Sequence, residues 1–136
     1  MERNVKQVIV LRKDLHMRKG KMVAQGAHAS VDTLLSLFTQ TREDGQTTYT
    51  LHVEEGSMLS LWMDGTYTKI CLYVESEEEL TGLYKKIHEK APEIPLALIE
   101  DMGLTEFHGQ ITKTAVGIGP YWAEEIDRFT KDLKLL

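Results

Sequence analysis

The stretch Lys6-Gln7-Val8-Ile9-Val10-Leu11-Arg12, close to the start of the given sequence, contains an uninterrupted run of four apolar side chains, Val8 to Leu11, most of them β-branched. A short run without polar alternation is typical of a central strand that other elements cover on both faces. The run therefore predicts an α/β fold in which this strand lies inside an open sheet.

Apolar residues recur at intervals of three and four after this strand, which is the spacing of one face of an α-helix. They are Val23, Ala27, Val31, Leu34, Leu35 and Phe38. We expect this face to pack on the sheet. The opposite stripe is polar and consists of Lys21, Gln25, His28 and Asp32. Such a stripe is either plain solvent-exposed surface or the wall of a ligand site.

The later strands and helices are marked by similar patterns. Strands are predicted at 68–74, 96–99 and 112–118. A capping box at Ser76 and Glu79 starts a helix that runs to about Lys90, and Gly119-Pro120 opens a last helix with Ile126 and Phe129 facing inward. The predicted order is βα(insertion)βαββα, which corresponds to a single-domain, three-layer α/β/α sandwich over residues 1–136 with a mixed four-stranded β-sheet.

Residues about 42–65 form the insertion in this order. Within it, 47–53 could be a further strand or one arm of a hairpin, and Gly56-Ser57 could start a short helix from Met58 to Met63.

The composition is that of a globular protein, with 136 residues, 42% hydrophobic and 27% charged. A net charge of −5 argues against nonspecific coating of nucleic acid. Residues 1–21 nevertheless hold seven Lys or Arg against two Asp or Glu. This end is either a solvated basic loop or a lip that contacts phosphates.

The apolar runs are too short to span a bilayer, and Met1-Glu2-Arg3-Asn4 lacks the apolar segment of a signal peptide. We therefore expect a soluble, cytoplasmic protein with no membrane partner. The single cysteine, Cys71, falls in a predicted strand and is interpreted as a small core residue.

Several kinds of catalytic site lack their sequence motif. Neither GxxxxGK[ST] nor GxGxxG is present, the five histidines have no HxxxH or HExxH spacing, and Gly-x-Ser-x-Gly is absent. We therefore expect no cofactor, no metal site and no serine triad.

The loops after the first and third strands, 12–21 and 100–107, are the predicted site walls, because ligands of open sheets bind beyond the carboxyl ends of strands. Arg18-Lys19-Gly20-Lys21 at the helix start would contact a phosphate or an oxyanion. Asp101 either belongs to an ordinary turn or faces Lys21, in which case the pair could position a water for attack on an ester.

The segments that carry a resemblance are Gln7 to Leu15, Lys19 to Ala29, Leu98 to Glu106, Gly117 to Pro120, and the end of the chain at Ile126-Asp127 and Leu133 to Leu136. Together they resemble the type II peptidyl-tRNA hydrolases of archaea and eukaryotes. The resemblance implies hydrolysis of the ester between a peptide and the 3′ ribose of tRNA, with tRNA as partner and no cofactor.

The same resemblance implies roles for individual residues. The catalytic residues would be Lys21, Gln25 and Asp101. The substrate-binding residues would be Asp14, Lys19, His28, Thr105 and Thr112. Whether the chain forms a homodimer is not decided by these patterns.

Two features depart from the common family pattern. The segment Phe107 to Thr112 lacks the usual proline, and Gly26 stands where a cysteine is common. Gly56 to Lys69 resembles a bacterial and phage-like branch. Two alternatives therefore remain beside the peptidyl-tRNA hydrolase: an inactive tRNA- or protein-binding module of the same fold, and a deacylase of aminoacyl-tRNA or small esters.

Overall fold

A five-stranded mixed sheet is the centre of the computed structural model, which describes residues 3–104 and 107–136. The strands are β1 (Val5–Arg12), β2 (Thr39–Glu43), β3 (Gln46–Thr50), β4 (Lys69–Val74), β5 (Leu96–Asp101), β6 (Thr112–Trp122) and β7 (Lys134–Leu135). The helices are α1 (Lys19–Leu35), α2 (Met58–Met63), α3 (Glu77–Lys90) and α4 (Ala123–Thr130). The sheet order is β5-β6-β1-β4-β7, and β2 and β3 form a separate two-stranded hairpin.

The four predicted strands are all present, but the predicted count of four is wrong. β1 pairs with β4 in parallel, and β6 is antiparallel to both β1 and β5, so the sheet is mixed as predicted. The fifth strand, β7, pairs antiparallel to β4 through only two residues. A two-residue strand is too short to produce an alternation pattern, so the sequence could not reveal it.

Helices cover both faces of the sheet. On one face, α3 and α4 pack on alternate side chains of β1, β4 and β6. On the other face, α1 packs on the intervening side chains, with Ile9, Leu11, Ile99 and Ala115 beneath Ala29. These two clusters give the predicted three layers. Within the described ranges, we find no helix that combines the length and the apolar character needed to cross a membrane.

The prediction of which residues of α1 face the sheet is wrong. Val23 is 73% exposed, Val31 51% and Leu35 45%. The residues that α1 buries are Gln25, Gly26, Ala29 and Thr33. The helix is therefore rotated so that small and polar residues lie against the sheet.

Close approach of helix and strand explains this rotation. A Cβ built at Gly117 of β6 would lie 2.5 Å from the carbonyl oxygen of Ala29. Only a helix face of small residues can lie this close to the strand, because larger side chains would push the two backbones apart. Thr33 is accommodated there because its hydroxyl group donates to the Ala29 carbonyl and accepts from Gln7.

The last helix starts later than predicted. β6 continues through Gly119-Pro120 to Trp122, and α4 begins at Ala123. Both side chains expected to face inward do so, since Ile126 is fully buried and Phe129 packs against the same cluster.

The region of uncertain form contains a hairpin and a helix. β2 and β3 pair over five positions around a turn at Asp44 and Gly45, which both have positive φ. The expected short helix is confirmed, because Ser57 caps α2 by accepting from the Ser60 N–H group. Ser76 caps α3 in the same way, through Glu79.

Candidate active site

The first turns of α1 and the carboxyl end of β5 meet at one edge of the sheet. β1 and β5 both run antiparallel to β6, so their carboxyl ends lie on the same side, and α1 starts just beyond β1. This topology brings Lys21 and Asp101 together, with 2.8 Å between Nζ and Oδ1. Each side chain is only 14% exposed. The predicted pairing of these two residues is therefore present in the structure.

The backbone after β5 holds the second oxygen of the carboxylate. The N–H group of Gly103 donates to Oδ2 of Asp101 at 2.9 Å. Gly103 has a φ of +77°, and a Cβ there would collide with the carbonyl oxygen of Gln110. A glycine is required at this position because any side chain would be both strained and blocked. This turn is thus part of the site rather than an alternative to it.

Gln25 reaches the same carboxylate from the buried face of α1. Its Nε2 donates to Oδ1 of Asp101 at 3.3 Å, while its Oε1 accepts from the hydroxyl group of Thr114 at 2.5 Å. The two bonds fix which end of the amide faces Asp101. Gln25 and Thr114 are both nearly inaccessible to solvent.

Thr114 was not among the predicted site residues, whereas Thr112 was. Thr112 lies directly across the strand pair from Asp101, and its hydroxyl group donates to the carbonyl of Gln110. Thr114 is two residues further along β6 and therefore projects on the same face. The pairing of β5 with β6 shifts register between Ile99 and Glu100, next to Thr114, so regular alternation along β6 from Ala115 would not have placed Thr114 on the α1 face.

The donors around Asp101 lower its pKa. The hydrogen bond from Lys21 is the largest cause, and the Gly103 N–H group, the charge of Lys21 and the Gln25 amide act in the same direction. Partial burial opposes them by raising the pKa, but the net pKa shift is downward. Asp101 is therefore a charged acceptor throughout the neutral range.

A cleft of about 410 Å³ opens beside this cluster. Lys21, Gln25 and Asp101 line it, and His28 lies at its exposed rim. The ring of Phe107 lies 5.7 Å from Lys21 Nζ, within cation–π range. The cleft thus offers a charged pair in a partly enclosed space that solvent can reach.

Several other predicted site residues are not part of this hydrogen-bonded cluster. Arg18 and Lys19 are exposed at the start of α1. Asp14 is engaged by Arg12, with 2.7 Å between Nη2 and Oδ2. Thr105 lies outside the described residues.

Metal ligation has no support in the described part of the structure. Among residues 3–104 and 107–136, no group of three or more His, Cys, Asp or Glu side chains could hold a metal ion.

Cys71 is exposed on β4, so the interpretation of this residue as a core side chain was wrong. Desolvation by neighbouring groups raises the pKa of its thiol, which keeps the thiol protonated at neutral pH.

The family model of the peptidyl-tRNA hydrolase PTH2 matches residues 5–136. The chain belongs to this family. The match confirms the resemblance drawn from the sequence, and it spans both α1 and β5, which carry the Lys21–Asp101 pair.

Archaeal relatives of this PTH2 chain carry the same family name. A peptidyl-tRNA hydrolase of Methanococcus maripaludis strain C7 is 40% identical over 133 residues, covering 96% of this chain and 97% of the relative. Those of Methanopyrus kandleri and Methanocaldococcus jannaschii are 40% identical over 131 residues and 38% over 132. These matches cover 96% and 97% of this chain, and 97% and 100% of the two relatives.

Proposed function

We propose that this PTH2 chain hydrolyses the ester bond between a peptide, or an N-blocked amino acid, and the 3′ ribose of tRNA, and that Lys21, Gln25 and Asp101 are its catalytic residues. One observation carries the proposal. Lys21 and Asp101, from elements far apart in sequence, are held 2.8 Å apart at an accessible cleft.

Hydrolysis of an ester requires a water oriented toward the carbonyl carbon and compensation of the negative charge that develops on the carbonyl oxygen. The Asp101 carboxylate supplies a charged acceptor that can orient the water. The Lys21 ammonium group supplies the positive charge that stabilises the oxyanion. The carboxylate can act at neutral pH because the lowered pKa of Asp101 keeps it ionised.

Gln25 keeps the carboxylate in place. Its amide donates to the same oxygen that Lys21 contacts, and Thr114 fixes the orientation of that amide. When Lys21 turns toward the substrate, Gln25 and Gly103 still hold Asp101. We infer that this support is the reason for burying a polar amide under α1.

The substrate tRNA would approach over the basic start of α1. Arg18 and Lys19 are exposed there and can contact phosphates, as can the helix N-terminus itself. His28 lines the cleft and would contact the substrate near the ester. Thr112 is paired with Asp101 across the two strands, and we propose that it contacts the substrate beyond the cleft lining. Asp14 would act indirectly, by orienting Arg12.

The remaining expectations stay predictions. We propose that the chain acts as one domain, in the cytoplasm and without a cofactor. Assembly into a homodimer is a further prediction, and sedimentation of the purified chain would test it.

The test is hydrolysis of N-acetyl-aminoacyl-tRNA beside its unblocked counterpart, with a metal chelator present. We expect the wild-type protein to cleave the blocked substrate. Lys21→Ala and Asp101→Ala should each lower kcat by about 10²–10⁴-fold, because each removes a charge that acts in the transition state. Lys86→Ala and Asp132→Ala, at exposed positions elsewhere, are the matched controls and should retain full activity.

Three results would count against the proposal. Full activity of Asp101→Ala would exclude the proposed catalytic cluster. Inactivity of the folded wild-type chain, with tRNA binding intact, would identify an inactive binding module. Equal cleavage of the unblocked substrate would instead indicate a broader deacylase.

A further inference from the structure

An apolar groove lies on the opposite side of α1 from the catalytic cleft. Ile9 and Leu11 of β1 form its floor, and α1 is one wall. Cys71 of β4 and the C-terminal Leu136 form the other wall. Its volume is about 660 Å³, larger than that of the cleft.

The groove exists because α1 does not cover the whole sheet. The helix packs on β1, β5 and β6, and this leaves β4 without a helix on the same face. Val23 and Val31 therefore project from α1 over open surface, and Cys71 is exposed opposite them. Ligand-binding grooves are among the places where proteins expose apolar side chains side by side.

The groove is continuous with the catalytic end of α1. Lys19 lines the groove, and Lys21 lines the cleft. Gly20 lies between them, and a Cβ at this position would meet nothing within 4 Å. The surface over the first turn of the helix is therefore low and open, so an extended chain can pass from one side of α1 to the other.

We propose that this groove binds the peptide part of the substrate as an extended, apolar segment. The ester would lie at Lys21, and the residues that precede the ester would cross Gly20 and follow α1 from Lys19 toward Val31. This inference rests on the proposed ester hydrolysis, and it assigns a peptide subsite to that reaction.

The dimensions fit such a segment. Lys19 and Val31 are twelve residues apart, which corresponds to about 18 Å along a helix at about 1.5 Å per residue. An extended peptide advances about 3.3 Å per residue, so the groove accommodates about five residues.

The charges also fit. Apart from Ser30, the charged or hydrogen-bonding side chains that the described part of the chain contributes to the groove are Lys19 at the catalytic end and Lys69 at the β4 side. The Lys19 end would meet the phosphates of the tRNA terminus, and the apolar middle would receive uncharged peptide side chains. Burial of a charged side chain in the middle would be unfavourable because nothing there pairs with it.

The decisive measurement compares two tRNA esters that differ only in acyl length. One is N-acetyl-alanyl-tRNA, which is too short to fill the groove, and the other carries an N-acetylated apolar pentapeptide ending in alanine. For the wild-type chain, we expect the KM of the pentapeptidyl ester to be about tenfold lower. Val23→Glu and Ala27→Glu should raise that KM until the two esters differ by less than about twofold.

Ala24→Glu is the matched control for these variants. Ala24 is exposed on the same helix but does not line the groove. Its replacement by Glu adds the same charge as the other two substitutions. It should leave the tenfold difference between the esters intact. Repulsion of tRNA by the added charge would raise both KM values and leave their ratio unchanged. If Ala24→Glu abolished the difference as well, the loss would not depend on the groove lining, and the proposal would be overturned.

Cys71 provides a second readout that needs no new side chain on α1. It is the only cysteine of the chain, so alkylation with N-benzylmaleimide at mildly alkaline pH places a bulky group in the groove at one site. The alkylated protein should lose the preference for the pentapeptidyl ester. Cys71→Ser, treated with the same reagent, should keep that preference.

The failure of this inference can be distinguished from failure of the proposed function. Inactivity of the wild-type chain on both esters would reject the ester hydrolysis itself. Activity on both with equal KM would reject only the peptide groove. A wild-type dimer in sedimentation that Ala27→Glu converts to a monomer would show that a second copy occupies the groove, and would also overturn the proposal.

Discussion

The two sides of α1 differ in which side chains they bury: the cleft side buries polar residues, whereas the groove side exposes apolar ones. On the cleft side, the helix buries the amide of Gln25 and nearly buries the ammonium group of Lys21. On the groove side, it exposes Val23 and Val31. A helix that served only to cover the sheet would have the reverse arrangement.

Hydrogen bonding explains why the cleft side is stable. Each polar atom of the Gln25 amide has a partner, Thr114 for the oxygen and Asp101 for the nitrogen. A buried polar group with its partners costs little, whereas one without them costs about 1–3 kcal/mol. On the groove side, hydrogen bonding cannot offset the exposure of Val23 and Val31, because their side chains are apolar. A bound ligand that covers these valines would explain why they are exposed.

The largest effect in this comparison is expected from removing the Thr114 hydroxyl group. Thr114→Val leaves the Gln25 carbonyl oxygen without its donor, so the amide loses its fixed orientation toward Asp101. We expect kcat on N-acetyl-aminoacyl-tRNA to fall by about 10–100-fold with little change in KM. Thr114→Ser should restore most of the activity.

Thr130→Val is the matched control. Thr130 is also buried, but its hydroxyl group donates to the Ile126 carbonyl within α4, on the opposite face of the sheet. Its replacement should leave kcat unchanged. Equal losses of kcat in both variants would show that Thr114 supports the fold in general rather than the position of Gln25.

A smaller effect is expected in the pH dependence of stability. Because the folded-state pKa of Asp101 is lowered, its charge stabilises the folded protein fully above the ordinary aspartate range, and this contribution is lost as the pH falls through the folded-state pKa. Urea unfolding should therefore show the wild-type chain more stable than Asp101→Asn at pH 7. The difference should narrow as the solution is made acidic. A difference that does not change with pH would contradict the assigned role of the charge.

The smallest effect is expected on the groove side. Val23→Thr should change the free energy of unfolding by less than about 0.5 kcal/mol, because Val23 is mostly exposed. The same substitution at the fully buried Val8 should cost about 1–3 kcal/mol, since it buries a hydroxyl group among apolar side chains. Thermal or urea unfolding of the two variants is the measurement. Equal losses would mean that Val23 packs in the folded protein after all.

Local signals predicted local structure well. The apolar run at Val8 to Leu11 is the buried centre of β1, and Ser57 and Ser76 cap the helices they were expected to start. These features were predictable because a strand pattern or a cap depends on residues only a few positions apart. The start of α4 was predicted too early because Gly119-Pro120 lies within β6, which continues to Trp122 before the helix begins.

The Lys21–Asp101 contact was also predicted, although the two residues are far apart in sequence. It followed from topology, because carboxyl ends of similarly directed strands share one edge of a sheet. Thr114 was missed because its role depends on a hydrogen bond to Gln25, and Gln25 was predicted to lie on the stripe of α1 opposite the sheet-facing residues.

The sequence by itself determined the order of the main strands and helices, the family and the residues that meet at the edge of the sheet, since each rests on short-range patterns or on motifs along the chain. Only the tertiary structure decided which way α1 faces. The apolar period specifies that a helix forms, but Gly117 and Ala29 allow a close contact that selects the small, hydrogen-bonded face. That rotation places Gln25 against Asp101 and leaves an apolar groove on the other side.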